Sequence, residues 1–272
     1  MVSLVPSETY NLARLGVLDR VVGRTDYCIE PADGVVAIPT VGGTKDFDID
    51  KVMALEPDLI FANQEENSRP ALLELARQRY RVFVSFPKTV SDAIAHLARM
   101  ARILGVERDP EVVDLIRRGS EILRAPRAKS AVRTFVPIWM KPLMTFSSQT
   151  YADDVLSWAG FDNVFADRER KYPLKADLGY AEPLAAEEIE GRDTRYPRIT
   201  LDELVSRAPD ALLLPDEPHE FTANDAEVFA GLGLPASSRG AIRHVDGKDL
   251  FWPGARTVEG LPRLRELARA LV

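Results

Sequence analysis

The chain has 272 residues, 46% hydrophobic and 28% charged, with a net charge of −7 and a pI near 5.2. That length fits roughly two domains of 100–200 residues, and the composition is that of a globular rather than a disordered chain. The acidic balance argues against nucleic acid as the main partner, because a phosphate backbone needs a basic face.

The N-terminal half alternates short apolar runs with helical patterns. Residues 2–5 read as a core strand, 8–15 as a helix stopped by Gly16, and 20–23 as a second strand. Residues 49–55 read as a helix entered through Asp48, a residue type that caps helices by accepting a backbone N–H. Then follow a strand at 59–62, a helix at 70–79 with Pro70 in its first turn, a strand at 82–86 and an amphipathic helix at 91–104. Such alternation makes a parallel sheet covered by helices. Because Met1 leads straight into the first strand, no signal peptide is expected, which places the protein in the cytoplasm unless the chain lacks a leader.

Asp109-Pro110-Glu111 is a strong helix start: a cap, a proline at the first position and an acid in the first turn. Apolar residues at helical spacing continue it to about residue 123, a rod of about 23 Å at 1.5 Å per residue. The expected organisation is an α/β lobe at 1–106, a connecting helix at 107–128 and a second α/β lobe at 129–272. A helical crossing predicts small lobe movements.

The second lobe opens with a strand at 134–139 and a helix at 153–159 ending at Gly160; residues 167–199, charged and rich in Pro and Gly, read as a long loop. After it, residues 201–217 repeat residues 49–65 without a gap, at a constant offset of 152. Asp50 meets Asp202, Pro57 meets Pro209, Asp58 meets Asp210 and Glu65 meets Glu217, while most other pairs are apolar on apolar. Both copies read as helix, Pro-Asp corner and buried strand. A period this long is not a solenoid, whose repeats run roughly 20–50 residues; it predicts two similar doubly wound lobes with a ligand cleft between them. A strand at 242–245, an Asp246-Gly247 turn, an apolar run at 250–252 and a helix at 258–271 complete the chain.

No dinucleotide-binding glycine fingerprint, Walker loop, nucleophile elbow or HExxH motif is present. The single cysteine, Cys28, excludes an intramolecular disulfide and a cysteine-built zinc site, and reads as a small buried residue. His96 is expected on the solvated face of its helix, His244 as a packed or edge residue of a strand, and His219 as a weak metal candidate with Glu220. No apolar run approaches the ~20 residues of a membrane span. The chain offers a cleft without catalytic machinery, which points to a binding protein.

Several segments resemble the helical-backbone metal receptor superfamily, the substrate-binding proteins of bacterial ABC importers for vitamin B12, ferric siderophores and haem. They are Val2-Ser3-Leu4-Val5-Pro6-Ser7-Glu8-Thr9, Gly23-Arg24-Thr25-Asp26-Tyr27-Cys28, Val41-Gly42-Gly43-Thr44-Lys45, Ala54-Leu55-Glu56-Pro57-Asp58-Leu59-Ile60 and Phe251-Trp252-Pro253-Gly254-Ala255-Arg256-Thr257. The cobalamin-binding subgroup is the most similar. The resemblance implies two α/β lobes joined by one long helix, no enzymatic activity, no intrinsic cofactor or metal, and a monomer that captures a metal chelate, cobalamin first and siderophore or haem second. It also implies an extracytoplasmic location and a dimeric ABC permease as partner. With the ligand crevice beyond the carboxyl ends of the strands, one wall would hold Ser7, Glu8, Asp26, Tyr27 and Asn63, and the other Trp139, Tyr151, Trp252 and Arg256. Glu65, Glu66 and Glu217 would dock the permease. Two alternatives remain at this point: a cytoplasmic chelatase-like or metal-cofactor-handling protein on the same scaffold, and a cleft-based sensor or interaction domain.

Overall fold

The computed structural model describes residues 1–127 and 132–272; the expected boundary between residues 128 and 129 lies outside them. The chain forms two compact units: residues 1–87, 91–125 and 252–258 make the first, and 88–90, the described part of 126–251, and 259–272 make the second.

The first unit is built on a parallel sheet of β1 (Val2–Ser3), β2 (Gly23–Arg24), β3 (Ile60–Asn63) and β4 (Val82–Ser85), in the order β2-β1-β3-β4. Val2 pairs with Ile60 and with Gly23, and Ile60 with Val82. All four residues of β3 are buried, as expected of a central parallel strand covered on both faces. Val2, Leu4, Val52, Ile60, Ala62 and Leu75 share its core. The strand expected at 20–23 begins only at Gly23, after a 3-10 turn at Leu18–Arg20. A Cβ on Gly23 would lie 2.4 Å from the Leu55 methyl, so a larger residue there requires the Leu55 side chain to move.

The rod is present as helix Pro110–Arg124, with the Asp109 carboxylate accepting from the Glu111 N–H at 3.0 Å. It packs within the first unit. Gly119 faces Ile94 of helix Val90–Leu104 so closely that an added Cβ would sit 3.0 Å from it.

In the second unit the strands are β5 (Val132–Phe135), the antiparallel pair β6 (Trp139–Met140) and β7 (Leu143–Met144), then β8 (Phe161–Asn163), β9 (Ala211–Pro215) and β10 (Ile242–Val245). The main sheet is parallel, in the order β10-β9-β5-β8. Its core gathers Phe135, Phe165, Leu212, Leu214, Phe221 and Phe229. The strand expected at 134–139 stops at Phe135, because Pro137 has no N–H for a ladder. The apolar run at 250–252 opens inside a helical turn at 248–251: the Asp246 carboxylate accepts from the Lys248 N–H at 3.0 Å, and Leu250 and Phe251 donate to the Gly247 carbonyl.

The two main sheets have one topology. Numbered along the chain within each unit, both run second, first, third, fourth. The third strand in each is the one carried by the 152-residue repeat. The equivalence extends to backbone detail. Asp48 and Thr200, one offset apart, cap helices Ile49–Ala54 and Leu201–Arg207 by accepting from Lys51 and Glu203. Glu56 and Ala208, again one offset apart, both adopt left-handed conformations, at φ 44° and 45°, directly before Pro57 and Pro209.

The long segment 167–199 is built rather than open. It contains helix Leu174–Asp177 and a 3-10 turn at Ala186–Ile189. Buried Asp177 holds it together, accepting from Arg168 Nη1 at 3.0 Å, Lys171 N at 2.9 Å and Arg198 N at 2.7 Å.

Candidate functional site

All four strands of the first sheet are parallel, so their carboxyl ends share one edge, the edge where doubly wound folds take ligands. Four loops leave from it. In the loop after β2, Cys28 turns inward with its sulfur 3.0 Å from the Thr25 hydroxyl, while Asp26 and Tyr27 point outward. Tyr27 is 63% exposed. Asp26 N donates to the Gly42 carbonyl, and Tyr27 lies near Gly43, where an added Cβ would be 3.5 Å from its ring. The two glycine-rich and Tyr-bearing motifs thus form one surface.

Beneath that edge lies a buried polar network. Glu8 is 1% exposed. Its Oε1 accepts from the Ser85 hydroxyl at 2.6 Å, and His96 Nε2 lies 2.9 and 3.0 Å from its two oxygens. Asn63 Nδ2 donates to Ser85 Oγ at 3.2 Å. Asn67 accepts from Asn63 N at 2.8 Å and donates to the carbonyls of Leu4 and Thr44, joining the ends of β1 and β3 to the glycine-rich loop. Ser7, Glu8 and Asn63, all expected at the ligand wall, are therefore buried members or neighbours of a floor, and Asp26 and Tyr27 are its exposed furniture. His96 corrects the sequence expectation: it is 3% exposed and stacks on Phe83 at 5.6 Å. Its neighbours at −3 and +4, Ala93 and Met100, are both buried, so the apolar stripe of this helix is wide enough to include position 96.

Trp252 and Arg256 lie in the first unit. Trp252 is buried, edge-on to Tyr10 at 6.0 Å, and the Arg256 guanidinium lies 4.6 Å from the same Tyr10 ring. Asn11 clasps the turn between them: its amide donates to Pro253 O at 3.0 Å and accepts from Ala255 N at 2.8 Å. Gly254 sits at φ 112°, and a Cβ there would fall 2.3 Å from Asn11 Oδ1, so this motif requires its glycine.

In the second unit Trp139 is 45% exposed on β6, with its indole N–H donating to Lys141 O at 3.1 Å. Its ring lies 5.0 Å from His219, which in turn lies 4.8 Å from Phe221. Tyr151 is buried and opens helix Tyr151–Ala159 behind its cap, Thr150. Burial raises the pKa of Asp153 in the same first turn, offset by the hydrogen bond from Asn163. Glu65 and Glu217 stand at equivalent places just past β3 and β9. Glu65 N donates to Asn63 Oδ1, and Glu66 beside it is exposed. Glu217 is half-buried, and its neighbour Asp216 accepts from Gly247 N at 2.7 Å.

His244 is exposed on the edge strand β10, and no group of three or more potential metal ligands occurs among the described residues. No described helix is long and apolar enough to cross a membrane. The sequence reading missed Asn11, Asn67, Ser85 and His96, which join residues up to 244 positions apart; only the Asn63/Asn67 spacing hinted at them.

The periplasmic binding protein family model matches residues 1–229. A vitamin B12-binding protein of Yersinia pestis is 28% identical over 175 residues, 64% of this chain and 62% of that protein, so the match spans less than two thirds of the relative. The periplasmic vitamin B12 binding protein BtuF of Vibrio cholerae superposes with a TM-score of 0.76 at 19% identity, covering 99% of this chain and 96% of that one. The periplasmic heme-binding protein RhuT from Roseiflexus superposes at 0.77 with 16% identity, covering 100% and 98%. The parallel α/β units match these neighbours in fold. Its family is one of substrate-binding proteins rather than enzymes, and by the family match over residues 1–229 the chain belongs to the periplasmic binding proteins.

Proposed function

We propose that this protein captures a bulky metal chelate, a cobalamin-like corrinoid before haem or a ferric siderophore, and delivers it to a dimeric ABC permease. The observation that carries the reading is the pairing of exposed Tyr27 and Asp26 with a locked polar floor at the carboxyl edge of the first sheet. An exposed phenol ring offers apolar area to a flat macrocycle and a polar tip to its rim. The floor fixes the loops, so little ordering cost falls on binding. Trp139, on β6 just past β5, is an exposed aromatic of the second unit. Similarity to the vitamin B12-binding protein of Yersinia pestis supports placing corrinoids first. Glu65, Glu66 and Glu217 are proposed as permease contacts, since a two-fold partner asks for two-fold related charges.

A thermal shift series with cobalamin, haem and a ferric siderophore tests the reading. A ligand at 100 times its Kd stabilises by about 2.7 kcal/mol. The expected result is a concentration-dependent rise in Tm with cobalamin that exceeds the rise with the other two. No shift with any of the three overturns the reading.

A further inference from the structure

Segment 167–199 brings several arginines together around one aromatic ring. Tyr172 is its hub. The Arg170 guanidinium lies 4.2 Å from the Tyr172 ring and that of Arg192 5.1 Å from it, while the Tyr172 hydroxyl donates to Asp193 O at 2.8 Å. Arg198 is close enough to interact electrostatically with Arg170, Asp177 and Tyr172. Among the described residues, the nearby carboxylates are already engaged. Asp177 is used by Arg168 and two backbone N–H groups, Asp193 by a bidentate pair with Arg195 at 2.9 and 2.6 Å, and Glu203 by Arg168. Arg198 Nη1 donates only to the Tyr196 carbonyl, and the Arg170 Nε is buried with no hydrogen-bond partner.

Guanidiniums gathered together repel one another, and burial strengthens that repulsion; at Arg198 the Asp177 charge offsets the Arg170 charge only in part. Burial and then the Arg170 charge hold Arg198 below the ordinary guanidinium range. A planar anion reverses the balance, because arginine forks bind carboxylate and phosphate through paired N–H groups. The backbone supports such a role: Arg170 N is tied to Thr194 O at 2.7 Å, and the 195–199 strip is hydrogen-bonded along residues 143–147.

We infer that Arg170, Arg192 and Arg198 around Tyr172 form an anion-binding site for a carboxylate or phosphate group. The group comes either from a free small anion or from an acidic substituent of the captured ligand. The second source rests on the proposed chelate capture; the first does not.

The test is titration calorimetry of the full chain and of its Arg170→Gln and Arg198→Gln variants with three probes: citrate, inorganic phosphate, and haem beside its dimethyl ester, which lacks free carboxylates. The expected result is binding of citrate or phosphate that weakens as salt rises and falls at least 10-fold in each variant. Both variants should keep the parent melting temperature, since among the described residues neither side chain is in an ion pair. A preference for haem over its ester that disappears in the variants identifies the ligand substituent as the source. Anion binding without that preference identifies the free anion. If citrate and phosphate give no heat, and the variants bind haem and its ester as the parent does, the site is refuted, whatever happens to chelate capture. Equal anion affinity in parent and variants refutes it as well.

Discussion

At the residue scale, burial separates two kinds of aromatic that the sequence presents alike. Tyr27 and Trp252 both look like ligand contacts, yet one is 63% and the other 6% exposed. Tyr27→Ala should weaken chelate binding by about 1–3 kcal/mol, the range of an aromatic anchor, and leave stability nearly unchanged. Trp252→Ala should instead destabilise the fold by about 3–5 kcal/mol through the cavity left beside Tyr10. Urea unfolding and calorimetry on both variants check this pair; a Trp252 variant with parental stability contradicts the packing described. Cys28 gives a chemical test. Burial raises its thiol pKa, with the Thr25 hydrogen bond working against that, so little thiolate forms below the raised value. Iodoacetamide at pH 8 should leave it unlabelled in the folded protein and label it in urea, as read by mass spectrometry; rapid labelling of the native chain would mean that the loop after β2 opens.

At the element scale, the repeat was the most legible part of the fold because it is written in local chemistry. Caps at Asp48 and Thr200 and prolines at 57 and 209 are readable without a structure, and they frame the same helix–corner–strand unit. The left-handed corners at Glu56 and Ala208 were not readable, since neither residue type favours positive φ. Glycine there removes a strain of roughly 1–2 kcal/mol against a smaller entropic loss of about 0.5–1 kcal/mol. Glu56→Gly and Ala208→Gly should therefore each raise Tm slightly in scanning calorimetry; a clear fall at either position would break the equivalence of the two corners. What the sequence concealed was non-local. His96 is buried by its ring stacking on Phe83 and by a carboxylate 88 residues away, and the 167–199 segment is ordered by Asp177 reaching Arg168 and the Arg198 backbone. No periodicity within a single element carries that information.

At the scale of the whole molecule, the proposed permease contacts Glu65 and Glu217 each stand just past the third strand of a sheet with the same strand order. Glu65→Lys combined with Glu217→Lys should abolish complex formation with the cognate permease in pull-down or surface plasmon resonance. Chelate affinity should be unchanged, and the parent's complex should weaken with salt. A double variant that still docks normally removes these two residues from the interface.

The central claim is capture of one metal chelate by a site whose exposed contacts include Tyr27. Isothermal titration of the purified chain with cobalamin, haem and a ferric siderophore tests it most directly. The account predicts saturable heat with a stoichiometry of one for at least one chelate, cobalamin being the tightest, and a loss of about 1–3 kcal/mol in Tyr27→Ala. No heat with any of the three, or binding that is indifferent to Tyr27, would contradict it.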